Sequence, residues 1–271
     1  MSNDLVIIAG KGAYPIELAR SARSQGVKRV VAVAFRGETR KEIEQVADEV
    51  RWVYVGQLEP FRQAFREYGI SRAVMAGQIT PSNLFNARLD KPMRDLLKSL
   101  PRKNADTIFG AVGDELAALD VTLLPACQFM EANLVRAGTL TGTKPTAEQE
   151  SDIRQGLELA KCCSKLQAGQ SVAVKQGTVI AVEGFEGTDG MIARAGKIGG
   201  EGCVIVKVAG VDHDMRWDIP VVGLNTIKHL RKAKCGCLAM EADNVILLEK
   251  AEVIAAAESA GICLVALESE A

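Results

Sequence analysis

Residues 211–220, VDHDMRWDIP, crowd three aspartates, an arginine, a histidine and a tryptophan into ten positions. On an extended chain side chains alternate between faces. Val211, His213, Met215, Trp217 and Ile219 then point one way, and Asp212, Asp214, Arg216 and Asp218 the other, with neighbours about 6.5 Å apart. Pro220 ends the run because it cannot donate to a ladder. One reading is a half-exposed antiparallel strand whose charges partly neutralise one another. The other is a site: carboxylates at Asp214 and Asp218 hold a hard cation, Mg²⁺ or Mn²⁺, and Arg216 orients a carboxylate or grips a phosphate.

Other polar features have to converge on this stretch for it to be a site. IAGKGAYP (8–15) is a glycine-rich turn in which Gly10 and Gly12 could bring backbone N–H groups to a phosphate. It departs from both the dinucleotide fingerprint, since Pro15 takes its last position, and the P-loop pattern; a tight turn that only packs a helix explains it as well. FEGTDGMIARAG (185–196) places Thr188 as an expected N-cap, with a helix from Asp189. Simple capping accounts for both residues. As a site, Thr188 and the helix start would cradle an anion, with Asp189 as a metal ligand and Arg194 on a phosphate. Lys175 and Lys207 sit in or beside apolar runs, where a lysine either faces out or serves a site. GLNT (223–226) adds Asn225 and Thr226 at a further helix start. With two histidines and no G-x-S-x-G there is little for nucleophilic catalysis. Metal-assisted attack of water on phosphorus fits the inventory better.

The elements that carry these residues are α/β in rhythm. DLVIIAG (4–10), VKRVVAVAF (27–35), WVYVG (52–56) and SRAVMAG (71–77) are strands, with helices over 14–26 and 58–69 between them. Such alternation means parallel strands joined by crossovers. Helices at 92–99 and 104–119 and a strand at 120–124 follow. Beyond a Gly/Thr/Pro-rich stretch the pattern is mixed: a helix over 146–167, a hairpin over 171–184, a strand over 201–209, a helix over 223–234, strands at 236–240 and 244–249, a helix at 250–260 and a last strand at 262–267. The expectation is a doubly wound, Rossmann-like N-terminal α/β domain over 1–137, a linker over 138–150, and a mixed α/β catalytic domain over 151–271. A cleft between domains commonly houses a small molecule.

Composition narrows the partners. The 33 basic and 34 acidic residues leave a net charge of -1, so no bulk basic field holds nucleic acid. Seven cysteines, some adjacent, are an odd set without disulfide spacing and read as reduced thiols of a cytosolic protein. No apolar run approaches the roughly 20 residues of a membrane span.

Taken together, IAGKGAYPIELAR, VMAGQI (74–79), EGTDGMIAR (186–194) and VIVKVAGVDHDMRWDIPVVGLNTI (204–227) resemble the LpxI-type UDP-2,3-diacylglucosamine pyrophosphatases of lipid A synthesis, over nearly the whole chain. The resemblance implies two α/β domains with the lipid held at their interface, acyl chains on apolar residues there, and Mg²⁺-dependent hydrolysis to UMP and 2,3-diacylglucosamine 1-phosphate by attack on the sugar-side phosphorus. It implies an essential aspartate in D-x-R-x-D, carried onto Asp214 first and Asp218 second, and a site at Thr188, Asp189 and Arg194. The family's G-D-D-x-L-L-R segment is replaced by KNADTIFGAV (103–112), where Asp106 keeps one carboxylate; acyl or nucleotide preference is therefore in question.

The resulting expectation is an enzyme. Asp214 and Asp189 serve as metal ligands, and Asp214, Asp218 and Arg216 act in catalysis. Gly10, Gly12, Thr188, Arg194, Lys207, Asn225 and Thr226 bind substrate. The partner is a glycolipid nucleotide, reached from the cytoplasm with peripheral contact at the inner membrane surface, and the assembly expected is a homodimer. The alternatives are a non-catalytic binder of nucleotides or nucleotide-sugars, which gains nothing from the aspartates, and a dinucleotide oxidoreductase, against which the missing G-x-G-x-x-G counts.

Overall fold

The computed structural model describes residues 3–79, 88–210 and 214–268. Two compact units emerge, Met1–Glu131 with Asp214–Trp217, and Ala132–His213 with Asp218–Ala271.

In the first unit, β1 (Asp4–Ala9), β2 (Arg29–Phe35), β3 (Glu49–Val53), β4 (Arg72–Ala76) and β5 (Thr122–Leu123) form one sheet in the order β3-β2-β1-β4-β5. Every pairing is parallel. Among the described residues its α-helices are α1 (Tyr14–Ser24), α2 (Leu58–Tyr68), α3 (Lys91–Ser99) and α4 (Ala105–Ala117). Near-continuous apolar strands such as DLVIIA are what a sheet buried on both faces requires. Val6, Ile8, Val31, Val33 and Met75 pack with Phe61 and Phe65 of α2 and Leu116 of α4. The alternate residues, among them Leu5, Ile7 and Ala32, are equally buried, and α1 packs along β1, β2 and β4. The unit is thus doubly wound and Rossmann-like, as the strand rhythm predicts. Strand order reverses between β1 and β4, the usual position of a ligand crevice in such sheets.

The second unit carries the six-stranded sheet β6-β13-β11-β9-β7-β8: β6 (Gly138–Thr139), β7 (Ser171–Lys175), β8 (Thr178–Val182), β9 (Val204–Lys207), β11 (Cys237–Glu241) and β13 (Cys263–Leu267). A short parallel pair, β10 (Val221–Val222) with β12 (Ile246–Leu247), stands apart. The sheet is mixed, with β9, β11 and β13 parallel and β6 and β7 antiparallel to their neighbours. On one face Ile153 and Ala160 of α5 (Ala147–Lys165) pack on Val172, Val204 and Val206. On the other, Met191 and Ile192 of α6 (Gly187–Gly199), Leu230 of α7 (Leu224–Lys232) and Val253 of α8 (Lys250–Ser259) cover Ala173, Ile205 and Leu238. The β7–β8 turn falls at Gln176 and Gly177, both at positive φ (51° and 70°), the backbone a tight two-residue hairpin needs.

Two differences from the sequence reading follow from hydrogen-bonding partners. The 138–150 stretch, expected as a linker, belongs to the second unit. Its Gly138 and Thr139 pair with Ala266 and Val265, and Thr146 caps α5 in a reciprocal box with Gln149. The expected strand at 211–219 is absent from its described part, 214–219, which is turn and irregular chain. Val211, Asp212 and His213 lie outside the described residues.

All seven cysteines are free thiols. Cys237 and Cys263 are register partners on β11 and β13, and their mutual hydrogen bond raises the Cys237 pKa. Burial pushes Cys235 up to about 12. Thiols so held are packing groups rather than nucleophiles.

Candidate functional site

The D-x-R-x-D segment is built on an Asx-type turn. The Asp214 side chain accepts from the Arg216 backbone N at 3.0 Å, and Trp217 N donates to Asp214 O at 3.1 Å. The same carboxylate takes a two-pronged grip from Arg216, Nε at 3.0 Å to Oδ1 and Nη2 at 2.7 Å to Oδ2. That hydrogen-bonded carboxylate raises the Arg216 pKa above its ordinary value. Side chains that a strand would hold at even spacing therefore bond to each other.

Trp217 docks the segment onto the first unit. Its ring lies under the Arg216 guanidinium, 4.5 Å from the centroid, and against Gly110 and Gly113 of α4, where a Cβ would meet ring atoms at 3.8 and 3.6 Å. Trp217 Nε1 donates to Asp106 Oδ1 at 3.2 Å, so the carboxylate retained in KNADTIFGAV holds this tryptophan. Met215 O accepts from Ala126 N at 2.6 Å. Asp218 falls in the second unit, where its Oδ1 accepts from Gln170 Nε2 at 2.7 Å.

The second unit holds a polar centre at the ends of β7, β8 and β9. Lys207, the last residue of β9, is 6% exposed, the only buried lysine or arginine among the described residues. Its Nζ donates to Thr188 Oγ1 at 2.7 Å. The Thr188 hydroxyl donates onward to Glu183 Oε1 at 3.1 Å and lies 3.3 Å from Ser171 Oγ. Ser171 is itself the register partner of Lys207, so strand pairing fixes that spacing.

This corrects the role expected of Thr188. The helix starts at Gly187, whose φ is +75°, with Glu186 as cap residue and no side-chain cap bond. Thr188 is one residue inside, and its hydroxyl serves Lys207 and Glu183. Glu183, which ends the hairpin and precedes Gly184, is the residue that sequence reasoning missed. The available signal was an acid at the exit of an apolar strand before a glycine loop.

The remaining candidates take local partners. Arg194 Nη2 donates to Val182 O at 2.7 Å and pairs with Glu186, which holds the Glu186 carboxyl below its ordinary range; Arg194 fastens the β8–α6 loop. Asp189 Oδ2 accepts from Asn225 Nδ2 at 2.6 Å, and its Oδ1 lies 3.6 Å from His229 Nδ1, a second residue that spacing did not single out. Thr226 N donates to Gly223 O at 3.0 Å in the first turn of α7. Lys175 Nζ donates to Gly199 O at 2.8 Å, capping the carbonyl end of α6.

In the glycine turn, Gly10 N and Lys11 N donate to Ala76 O and Gln78 O, both at 2.7 Å. Those two amides close the turn against the end of β4 instead of facing a phosphate. A Cβ at Gly10 would meet Gln78 O at 2.6 Å, and one at Gly77, where φ is +88°, would meet Lys11 O at 2.5 Å. Both glycines are there for the close crossing of two backbones. At Gly12, φ is +100° and a Cβ would face open space.

Gly10 and Gly77 also border an open cleft at the carboxyl edge of the first sheet, between Ile8, Phe35, Phe61, Met75, Ile108 and Val112. None of the described residues that line it carries a charged side chain.

No group of three or more His, Cys, Asp or Glu side chains suited to a metal forms among the described residues. No helix among them is long and apolar enough to cross a membrane.

Comparison with known proteins gives the following. The chain is 26% identical over 279 residues to the UDP-2,3-diacylglucosamine pyrophosphatase LpxI of Caulobacter vibrioides, covering 98% of each chain. Among solved structures, precorrin-6A reductase CobK is similar over 99% of this chain and 88% of its own, at 12% identity and TM-score 0.32. The biotin carboxylase subunit of pyruvate carboxylase is similar over 69% of this chain and 39% of its own, at 12% identity and TM-score 0.29. Scores this low carry no argument about the fold, which rests on the strand order. Family models for the LpxI N-terminal and C-terminal domains match residues 4–133 and 136–265, and the chain belongs to the LpxI family.

Proposed function

We propose that this protein hydrolyses the pyrophosphate bond of UDP-2,3-diacylglucosamine, releasing UMP and 2,3-diacylglucosamine 1-phosphate in lipid A synthesis. The observation that carries the reading, beside family membership, is the buried Lys207 ammonium. A charge taken out of water is costly unless compensated, and Lys207 has a single neutral hydroxyl as its hydrogen-bond partner among the described residues. The Glu183 carboxylate reaches Lys207 only through that hydroxyl; a diphosphate supplies an anion in direct contact. Thr188 orients the ammonium, Asp218 lies on Gln170 beside the same strand ends, and Arg216, fixed by Asp214, is a second phosphate-gripping group.

Mg²⁺ usually binds through one or two carboxylates together with substrate phosphates, so no cage of three carboxylates is needed. Asp189, half-exposed with an amide on one oxygen, or Asp214 is the carboxylate that would hold it; Mn²⁺ has the same ligand preference. When bound, the ion supplies neutralisation of the diphosphate charge. Gly12, Asn225, Thr226 and Arg194 stay candidates for substrate contacts beyond the diphosphate. An acyl chain fits the apolar cleft of the first unit, since each methylene buried there is worth about 0.8 kcal/mol. Water-side access to a lipid at the inner membrane surface needs only peripheral contact.

The test is UMP release from UDP-2,3-diacylglucosamine by the purified protein, with Mg²⁺ and with a chelator. Release that stops on chelation and returns with Mg²⁺ is expected; a folded protein that releases none refutes the reading. In the same assay Val112→Trp, which fills the cleft, should raise KM for the long-chain substrate about tenfold, the loss of ~1.4 kcal/mol, and leave a short-chain analogue unchanged. Equal effects on both substrates would rule the cleft out as the acyl site.

A further inference from the structure

We propose that Glu183 is a further catalytic residue of this hydrolysis, the carboxylate that holds the attacking water and takes its proton; the inference rests on the function proposed above. Glu183 Oε2 is shielded from solvent and meets no hydrogen-bond donor, the one buried side-chain nitrogen or oxygen so placed among the described residues. Buried polar atoms nearly always have partners, and leaving one without is costly. An exception beside the sole buried cation of the described chain calls for an explanation in function.

The hydrogen bonds around it fix the chemistry. Lys207 has no lone pair to offer while charged, so the Thr188 hydroxyl accepts from Nζ and turns its own proton to Glu183 Oε1, the nearer of its two remaining partners. Glu183 is thereby held as an acceptor. Its backbone is tied too, since Glu183 N donates to Ser171 O at 2.9 Å. One oxygen is occupied by Thr188, and the second accepts from water when a diphosphate lies on Lys207.

In the step, the water oxygen bonds to the sugar-side phosphorus as that phosphorus parts from the bridging oxygen. The bridging oxygen keeps the electron pair and leaves with UMP. One water proton passes to Glu183 Oε2, and the other stays on the new phosphate hydroxyl. Lys207 neutralises charge on the phosphoryl oxygens throughout.

Glu183→Gln separates this role from a structural one, because the amide oxygen still accepts from Thr188 while the proton acceptor is gone. UMP release and thermal unfolding are measured on wild type, Glu183→Gln and Glu183→Asp at saturating Mg²⁺. For Glu183→Gln, kcat should fall about 10²- to 10⁴-fold, with KM within about twofold and Tm within a few degrees of wild type, because the amide oxygen keeps the bond from Thr188. Glu183→Asp should recover part of kcat. The proposal is overturned if Glu183→Gln keeps kcat within threefold, if KM moves instead of kcat, or if kcat and Tm fall together in both variants. A wild type that releases no UMP defeats the function itself, a distinct outcome.

Discussion

Lys207→Met is expected to lower kcat/KM for UDP-2,3-diacylglucosamine by about 10²- to 10³-fold, the usual cost of losing one preorganised group that stabilises transition-state charge. The substitution nearly conserves side-chain volume and removes the ammonium. The Lys207 side chain shares its strand face with Ile205, which is fully buried, so the methionine meets apolar contacts there. Thr188 keeps Glu183 as the acceptor for its proton. Activity should therefore collapse while Tm holds within a few degrees. Steady-state kinetics and thermal unfolding on one preparation check this. Turnover within threefold of wild type, or activity lost only in step with Tm, would remove Lys207 from the site.

Asp214→Ala should reduce kcat by at least about 10²-fold, more than Asp218→Ala does. Asp214 sets the direction of Arg216 through two-pronged bonding, and its loss frees the guanidinium to swing away. The cost to stability is small, because the Asp214 and Arg216 side chains are 30% and 43% exposed and such pairs contribute about 0–1 kcal/mol. Trp217 still holds the segment on α4. Initial rates for both alanine variants decide the order. If Asp218→Ala is the dead enzyme and Asp214→Ala is active, the essential carboxylate is the one on Gln170.

The sheet architecture was legible because its signals are local. Buried parallel strands appear as apolar runs, Pro15 marks the start of α1, and Lys-Gln-Gly between two alternating runs marks the β7–β8 hairpin. The 214–219 stretch misled because alternation of charged and apolar residues is also what an Asx turn followed by a docked tryptophan produces. The deciding contacts, Trp217 with Asp106 and with two glycines of α4, are about a hundred residues away in sequence. Thr188 was found for the wrong reason. Its type and position suggested a cap, whereas strand pairing between β7 and β9 puts Lys207 beneath it. Glu183 escaped notice because an acid at a strand exit usually faces water, and only the packed structure leaves one of its oxygens without a donor. Gly10 was read for its amides, yet what requires a glycine there is the backbone of Gln78 at van der Waals overlap.

The most direct measurement is a single turnover of UDP-2,3-diacylglucosamine in ¹⁸O-water with Mg²⁺, with products resolved by ³¹P NMR. Under the proposed attack on a sugar-side phosphorus held at Lys207, unlabelled UMP and one ¹⁸O in the 1-phosphate of the diacylglucosamine are predicted. Label in UMP would contradict that assignment, and intact substrate after incubation with folded protein would contradict the hydrolase.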